Sequence, residues 1–350
     1  MAKKKKSRVL CFIIFIIILA VVFAAGFFGY SYISKDINGN DGSNKDYTLI
    51  IEPSDFQYDV SQKLYQNGIV ISDSIWSGWM DKNYPDFTYI NGEYELNSSM
   101  SYEEIAVKLQ NPDISHKTIS VCIPEGYNVF QIADTMEENG ICKAVDFLNA
   151  CKDKTLYNYD FLKSIPDSDT IAYPLEGFLF PATYDFGENS EAVNVVLAML
   201  DAFETRITSS WTAYCNENNM TLYQLITLAS VVEEETLGQG VAENIASVFV
   251  NRLNKGQQLQ SDVTIFYGND LRSHGFDDKV VESYNTYKCA ALPSGPVTNP
   301  GVANIDAVVN HNDTDYFYFF SYNNGADFFF TADYNEFQAE WAKLGSTNTQ

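Results

Sequence analysis

The longest hydrophobic run in the chain is Val9 to Ile33, 25 residues without a charge, preceded by Lys3, Lys4, Lys5, Lys6 and Arg8. One helix of that length crosses a bilayer, and the basic cluster predicts a cytoplasmic N-terminus with everything after Lys35 outside. A cleaved signal peptide is the competing reading, because Phe23-Ala24-Ala25-Gly26 carries small residues. The run is long for a signal, however, and continues through Phe27, Phe28 and Tyr30. The expected divisions are therefore a basic tail at 1–8, a transmembrane helix at 9–33 and a spacer rich in Asn, Gly, Asp and Ser at 34–46.

Beyond the spacer, two segments share one pattern: Leu49 to Val70 and Ser120 to Cys142. Each has a short β-rich run, a Pro-containing turn, an amphipathic helix and a closing Asn-Gly-Ile. Val60, Leu64 and Ile69 recur as Ile132, Met136 and Ile141. Asn-Gly stops a helix well because glycine accepts the left-handed conformation past the last turn. Between the two, Gly92 to Leu96 predicts a strand and Ser101 to Ile105 a helix start, with Ser101 and Glu104 as a capping box. Residues 47–150 are expected to form a small α/β module of these units, ending in a charged, helical connection at 150–170.

From 151 to 342 the chain predicts a larger α+β domain, followed by a short tail at 343–350. Its centre is a helix pair at 221–236 and about 240–255. Leu222, Leu225, Ile226, Ala229 and Val232 recur at helical spacing and mark a buried stripe. The next member of that stripe is Glu233, a carboxylic acid where an apolar residue belongs. Burial disfavours the charged form and raises the pKa, which is how a side chain is kept ready to donate a proton near neutral pH. The alternative for Glu233, Glu234 and Glu235 is a solvated acidic helix end before Gly238-Gln239-Gly240. Further along, Leu259 to Gly268 sets polar residues before a β-branched and aromatic run, and Asn304 to Asn310 predicts a helix. Tyr316 to Ser321 and Asp327 to Thr331 predict two strands joined through Asn323-Asn324-Gly325. The simplest reading of their aromatic residues is sheet core.

Charge and composition narrow the function. Five of the 22 basic residues precede position 9 and no acidic residue precedes Asp36, so the remainder carries 17 basic against 46 acidic side chains. Such a surface is a poor partner for nucleic acid, and its acidity serves solubility. Five cysteines (Cys122, Cys142, Cys151, Cys215, Cys289) lie past the apolar run with no close pair, and His116, His274 and His311 are scattered. No disulfide framework or metal site is implied.

Several motifs together resemble the YceG-like family of endolytic murein transglycosylases. They are Glu176 to Tyr184 (EGFLFPATY), Leu228 to Thr236 (LASVVEEET), Ala246 to Leu253 (ASVFVNRL), Leu259 to Gly268 (LQSDVTIFYG), Tyr284 to Tyr287 (YNTY), Leu292 to Gly301 (LPSGPVTNPG) and the final hairpin. The resemblance implies a LysM-like module at 47–150 and a YceG-like catalytic domain at 151–342. It implies Glu233 as the catalytic acid, with Gln260, Ser261, Asp262, Asn285, Thr286, Glu176 and Glu235 as substrate-binding or supporting residues. For Asp262 and Glu176 a capping or ion-pairing role inside the fold is the alternative. The implied partners are peptidoglycan glycan strands, the membrane through the N-terminal helix, and cell-wall synthases; no cofactor is implied. Val263 stands where the family usually has proline, predicting a less rigid loop after Asp262. Ala182 and Glu234 replace a usual acidic and a usual basic residue, and Ser294 interrupts a usual proline pair.

The implied reaction uses one carboxylic acid, where an ordinary glycosidase uses two. A hydrolytic muramidase, with Glu233 beside Asp262 or Glu235, and a non-catalytic wall-binding anchor are the other readings.

Overall fold

The computed structural model describes residues 23, 26–39, 44–52, 55–85, 87–112, 114–115, 118–236, 240–289 and 291–344. The expected membrane helix at 9–33 and the basic tail lie largely outside these residues. Residues 26–37 are helical, and no helix among the described residues is long and apolar enough to cross a membrane. The chain divides into two compact units, 1–117 and 118–350.

In the first unit, β1 (Asp46–Ile51), β2 (Gly92–Asn97) and β3 (Ile114–Ser115) form an antiparallel sheet in the order β1-β2-β3. Helices α1 (Gln57–Gln66), α2 (Asp73–Asn83) and α3 (Tyr102–Lys108) accompany it. Leu49, Ile51, Val60, Leu64, Trp76, Tyr94 and Ile105 make the core. The predicted capping box is present: Ser101 Oγ accepts from the Glu104 N–H, and the Glu104 carboxylate accepts from the Ser101 N–H at 2.8 Å. The start of the expected spacer is ordered instead of flexible. Asp36 is buried and accepts from the Tyr102 hydroxyl and, at 3.3 Å, from the Ile71 N–H.

The expected module boundary near 150 moves to 117–118, because the second strand–turn–helix segment belongs to the larger unit. There β4 (Thr118–Cys122) pairs antiparallel with β5 (Thr183–Gly187), from Thr118 opposite Gly187 to Cys122 opposite Thr183. Helix α4 (Val129–Glu138) buries Val129, Ile132, Ala133 and Met136 in that unit's core. Similar local patterns thus serve two separate cores, and the pattern reports only that each helix has one dry face.

The remaining helices of the large unit are α5 (Ala144–Lys152), α6 (Ala192–Glu204), α7 (Ser209–Glu217), α8 (Leu222–Thr236), α9 (Ala242–Asn254), α10 (Val263–Ser273), α11 (Asp278–Tyr284), α12 (Val302–Val309) and α13 (Tyr334–Leu344). The last runs past the expected domain end at 342. A hairpin of β6 (Tyr318–Tyr322) and β7 (Asp327–Thr331) turns through Asn323, Asn324 and Gly325, all at positive φ. Glycine takes that conformation freely and asparagine at modest cost, so the predicted turn chemistry is the turn observed. Val263 is the first residue of α10 and not part of a loop. That is the helix position where proline is also well tolerated, so the exchange leaves the element intact.

Candidate functional site

Helix α8 starts at a reciprocal cap. Thr221 Oγ1 accepts from the Gln224 N–H (3.2 Å) while Gln224 Oε1 accepts from the Thr221 N–H (2.8 Å), satisfying two donors that a helix start leaves unpaired. The single buried stripe expected of it is corrected. Leu222 is only half-buried, whereas Tyr223, Thr227, Leu228, Ser230 and Val231 are buried as well. Helices α7, α9, α10 and α12 pack around it, and a helix wrapped on all sides loses its amphipathic signature. Its polar residues are satisfied internally: Thr227 and Ser230 donate to the carbonyls of Tyr223 (2.7 Å) and Thr227 (2.8 Å). Past Gln224, which is exposed in the first turn, the helix next reaches the surface in its last turn, with its three glutamates.

The segment 294–301 runs beside this helix and fixes that turn. Tyr223 donates to the Ser294 carbonyl (3.2 Å), the Val297 N–H donates to Ser230 Oγ (3.0 Å), and the Gly301 N–H donates to Glu233 Oε2 (2.9 Å). Gly295 lies so close to Tyr223 that a Cβ there would fall 2.3 Å from the phenol oxygen. Glu233 is half-buried. Burial raises its pKa, the hydrogen bonds from Gly301 and Asn304 oppose that, and the charge of Glu125 adds to it. Glu233 is thus partly desolvated, for a reason the stripe did not contain: the segment ending at Gly301 packs against its carboxyl.

Glu235 faces the other side of the helix end. Ser261 Oγ donates to it at 2.5 Å. Burial pushes its pKa up, against the Ser261 hydrogen bond and the Arg252 charge; Asp262 adds to the rise. The loops at 260 and 285 do come together, but the carboxylate they hold is Glu235. Ser261 and Thr286 are buried, and besides the Ser261 hydroxyl they are bonded to each other and to Thr264: the Ser261 N–H donates to Thr286 Oγ1 (3.0 Å), and Thr264 Oγ1 donates to the Ser261 carbonyl (2.7 Å). Gln260 is exposed at φ 52°, a left-handed conformation, and its N–H donates to the Thr286 carbonyl (3.2 Å), which ties the two loops backbone to backbone. Asp262 is exposed and accepts from the Tyr287 hydroxyl (2.7 Å), and Asn285 is half-buried, accepting from the Tyr287 N–H (3.0 Å).

Glu234, between Glu233 and Glu235 in the chain, is exposed to solvent, although protein atoms crowd its carboxyl. Burial and the charge of Glu233 raise its pKa to about 7. With Glu235, Arg252, Gln260, Asp262 and Tyr287 it lines a cavity of about 510 Å³ whose opposite wall is aromatic: Phe266, Tyr318, Phe319, Phe320, Phe328, Tyr334, Phe337 and Trp341. The hairpin aromatics expected to be sheet core are so in part: Phe320 is buried and Phe319, Phe328 and Phe330 pack against the core, while Tyr318, Phe319, Phe320 and Phe328 also line this space. Arg252 holds the hairpin in place, donating through Nε to the Phe317 carbonyl (2.7 Å) and through Nη1 to the Leu259 carbonyl.

Glu176 is not in this cavity. It is fully buried and accepts from the Val129 N–H (3.0 and 3.1 Å), the Tyr267 hydroxyl (3.0 Å) and Asn299 Nδ2 (2.6 Å). A contact with substrate is replaced by the interior role that was its alternative: it ties α4, α10 and the 294–301 segment together. Sequence reasoning passed over Glu125, Asn304, Arg252 and Trp341. The one local signal for the first was the Pro124-Glu125-Gly126 turn, where Gly126 takes φ 82°.

These features define an α+β protein built round a central helix whose carboxylate-bearing end abuts an aromatic cavity. The sequence profile of the YceG-like family matches residues 49–343, and the chain belongs to that family. It is 33% identical over 341 residues to a protein of Streptococcus pneumoniae serotype 2 (strain D39 / NCTC 7466) named endolytic murein transglycosylase, covering 89% of this chain and 61% of that one. The chain thus spans about three fifths of the length of that relative. A Bacillus subtilis (strain 168) protein of the same name is 31% identical over 244 residues, 67% of each chain. A crystal structure of a yceG-like protein from Listeria monocytogenes shares the mixed fold, with a TM-score of 0.55 and 29% identity over 85% of this chain and 100% of that one.

Proposed function

We propose that this chain is a membrane-anchored endolytic lytic transglycosylase of peptidoglycan, with Glu233 as its single acid and base. The observation that carries the reading is the half-buried Glu233 carboxyl, raised in pKa and fixed by the Gly301 N–H at the end of a largely buried helix. Protonated Glu233 gives its proton to the oxygen linking N-acetylmuramic acid to N-acetylglucosamine, and the C1–O bond breaks. The carboxylate then takes the proton of the muramoyl C6 hydroxyl as that oxygen bonds to C1, leaving a 1,6-anhydro end and a protonated acid. The nucleophile is tethered to the reacting sugar, so the step has the advantage of an intramolecular reaction and needs no activated water. As written it calls for no cofactor.

Gln260, Asp262 and Asn285 keep polar atoms at or near the surface and are the side chains to orient sugars. Ser261, Thr286 and Glu176 act one step back, inside the fold, and Ser261 holds Glu235. Residues 9–33 anchor the chain with the catalytic unit outside the cell, acting on nascent strands near synthases. The first unit, with Tyr58 and Tyr65 exposed on α1, is the candidate LysM-like glycan-binding module.

The test uses the full chain in detergent micelles with purified glycan strands and mass spectrometry of the products. Ends lighter by one water are expected; reducing ends would mean a hydrolytic muramidase, and binding without cleavage a wall anchor. Glu233→Gln keeps the shape but donates no acid proton, and should lower turnover by a factor of at least about 100 with glycan binding retained. Full cleavage by that variant, with loss in Glu234→Gln instead, would transfer the acid role to Glu234.

A further inference from the structure

The turn after β4 brings a second carboxylate to the acid. Two reciprocal bonds strap it down: the Gly126 N–H donates to the Asn299 carbonyl (3.0 Å), and the Asn299 N–H donates to the Tyr127 carbonyl (3.0 Å). Gly126 then lies over the glutamates, where a Cβ would sit 3.7 Å from Glu233 Cγ and 3.4 Å from Glu234 Oε1. Glu125 extends to Gly301. A Cβ built on Gly301 would fall 2.0 Å from Glu125 Oε1 and 2.6 Å from its Oε2. Glycine at 301 is therefore what makes room for the Glu125 carboxylate, while the same residue's N–H binds Glu233. Standard bond geometry leaves the two carboxylates no more than about 7.5 Å apart.

We propose that Glu125, seated in the notch left by Gly301, is a positioning residue whose negative charge keeps the proton on Glu233. A negative charge that close disfavours ionisation of Glu233 and adds to the larger effect of its burial. The groups bonded to Glu233 are uncharged: the Gly301 N–H and the Asn304 amide, from the loop and from α12. On α8 its immediate ionisable neighbour is Glu234, and Glu235 is turned to Ser261, Asp262 and Arg252. The inference rests on Glu233 being the acid of the proposed reaction.

The experiment titrates the full chain, carrying 13C-labelled glutamate, in detergent micelles. The Glu233 carboxyl signal is assigned by its disappearance in Glu233→Gln. In Glu125→Gln its midpoint should fall by roughly 0.5 to 1 pH unit, the range for charges about 6 Å apart at effective dielectric constants of about 80 to 40. The alkaline limb of kcat/KM should fall by the same amount, which a merely structural role would not produce. Gly301→Ala gives an independent handle. Its φ of −72° suits alanine, and the three atoms nearest the new methyl group all belong to the flexible end of Glu125. It should move the midpoint the same way, with no further shift in the double variant. An unmoved midpoint in both single variants, or additive shifts in the double, would overturn the pairing. Because the midpoint is read without turnover, a chain that shows the shift but yields no anhydro ends would sink the lytic reading and leave the pairing standing.

Discussion

Glu176→Gln tests how the site is supported from inside. Burial pushes the Glu176 carboxyl up to about 8 from an ordinary 4.5, against the hydrogen bonds of Val129, Tyr267, Asn299 and Gly177. The folded chain then binds more protons than the unfolded chain between those values, so stability is highest below about pH 4.5 and is lost as pH rises toward 8. At about 1.4 kcal/mol per pH unit the full window corresponds to roughly 5 kcal/mol, an upper bound. Glutamine removes the titration but turns an amide donor toward groups that are themselves donors. At pH 5 the variant should be less stable by about 1–3 kcal/mol. That deficit should shrink, and reverse, by pH 8. Urea unfolding of the full chain in detergent is the assay, read through Trp211, which is fully buried in the large unit. Wild type and variant curves that stay parallel from pH 5 to pH 8 would refute the reasoning, whatever their separation. Because Asn299 links Glu176 to the segment that ends at Gly301, the wild type should also lose activity over the same rise in pH more steeply than the variant.

Two further outcomes follow from the cavity wall. Arg252→Met leaves the Phe317 and Leu259 carbonyls without their donor and should cost about 2–3 kcal/mol of stability in chemical denaturation, with faster amide exchange in β6 and β7. Unchanged exchange there would mean that the hairpin is held by its aromatic packing alone. Trp341→Leu keeps an apolar side chain against Phe320, 5.1 Å from it ring to ring, but removes a flat, half-exposed surface for a sugar. KM for glycan should rise about fivefold, the scale of an aromatic contact, with kcat within about twofold; an unchanged KM would place the glycan elsewhere.

What the sequence determined by itself was local. The Ser101–Glu104 cap, the helices near 222–236 and 242–254, and the Asn-Asn-Gly hairpin each follow from residues a few positions apart, through backbone propensity and reciprocal hydrogen bonds. That position 233 carries a partly buried carboxyl was also suggested by the sequence, though the single apolar stripe that pointed to it is not the observed burial. The surroundings of that side chain were not legible. The glycine that binds it is 68 positions away, and Asn299 reaches Glu176 across 123. Glu176 and Ser261 were read as substrate-binding or supporting residues because both are polar and lie in motifs; tertiary packing buries both, Glu176 inside the fold and Ser261 behind Glu235. The unit boundary escaped for a related reason: the helices of 57–66 and 129–138 have equivalent dry faces, and periodicity says that a face is dry without saying against what. Which carboxylate meets which loop is settled by close packing between distant segments, where a missing methyl group at Gly301 or Gly295 matters more than any pattern along the chain.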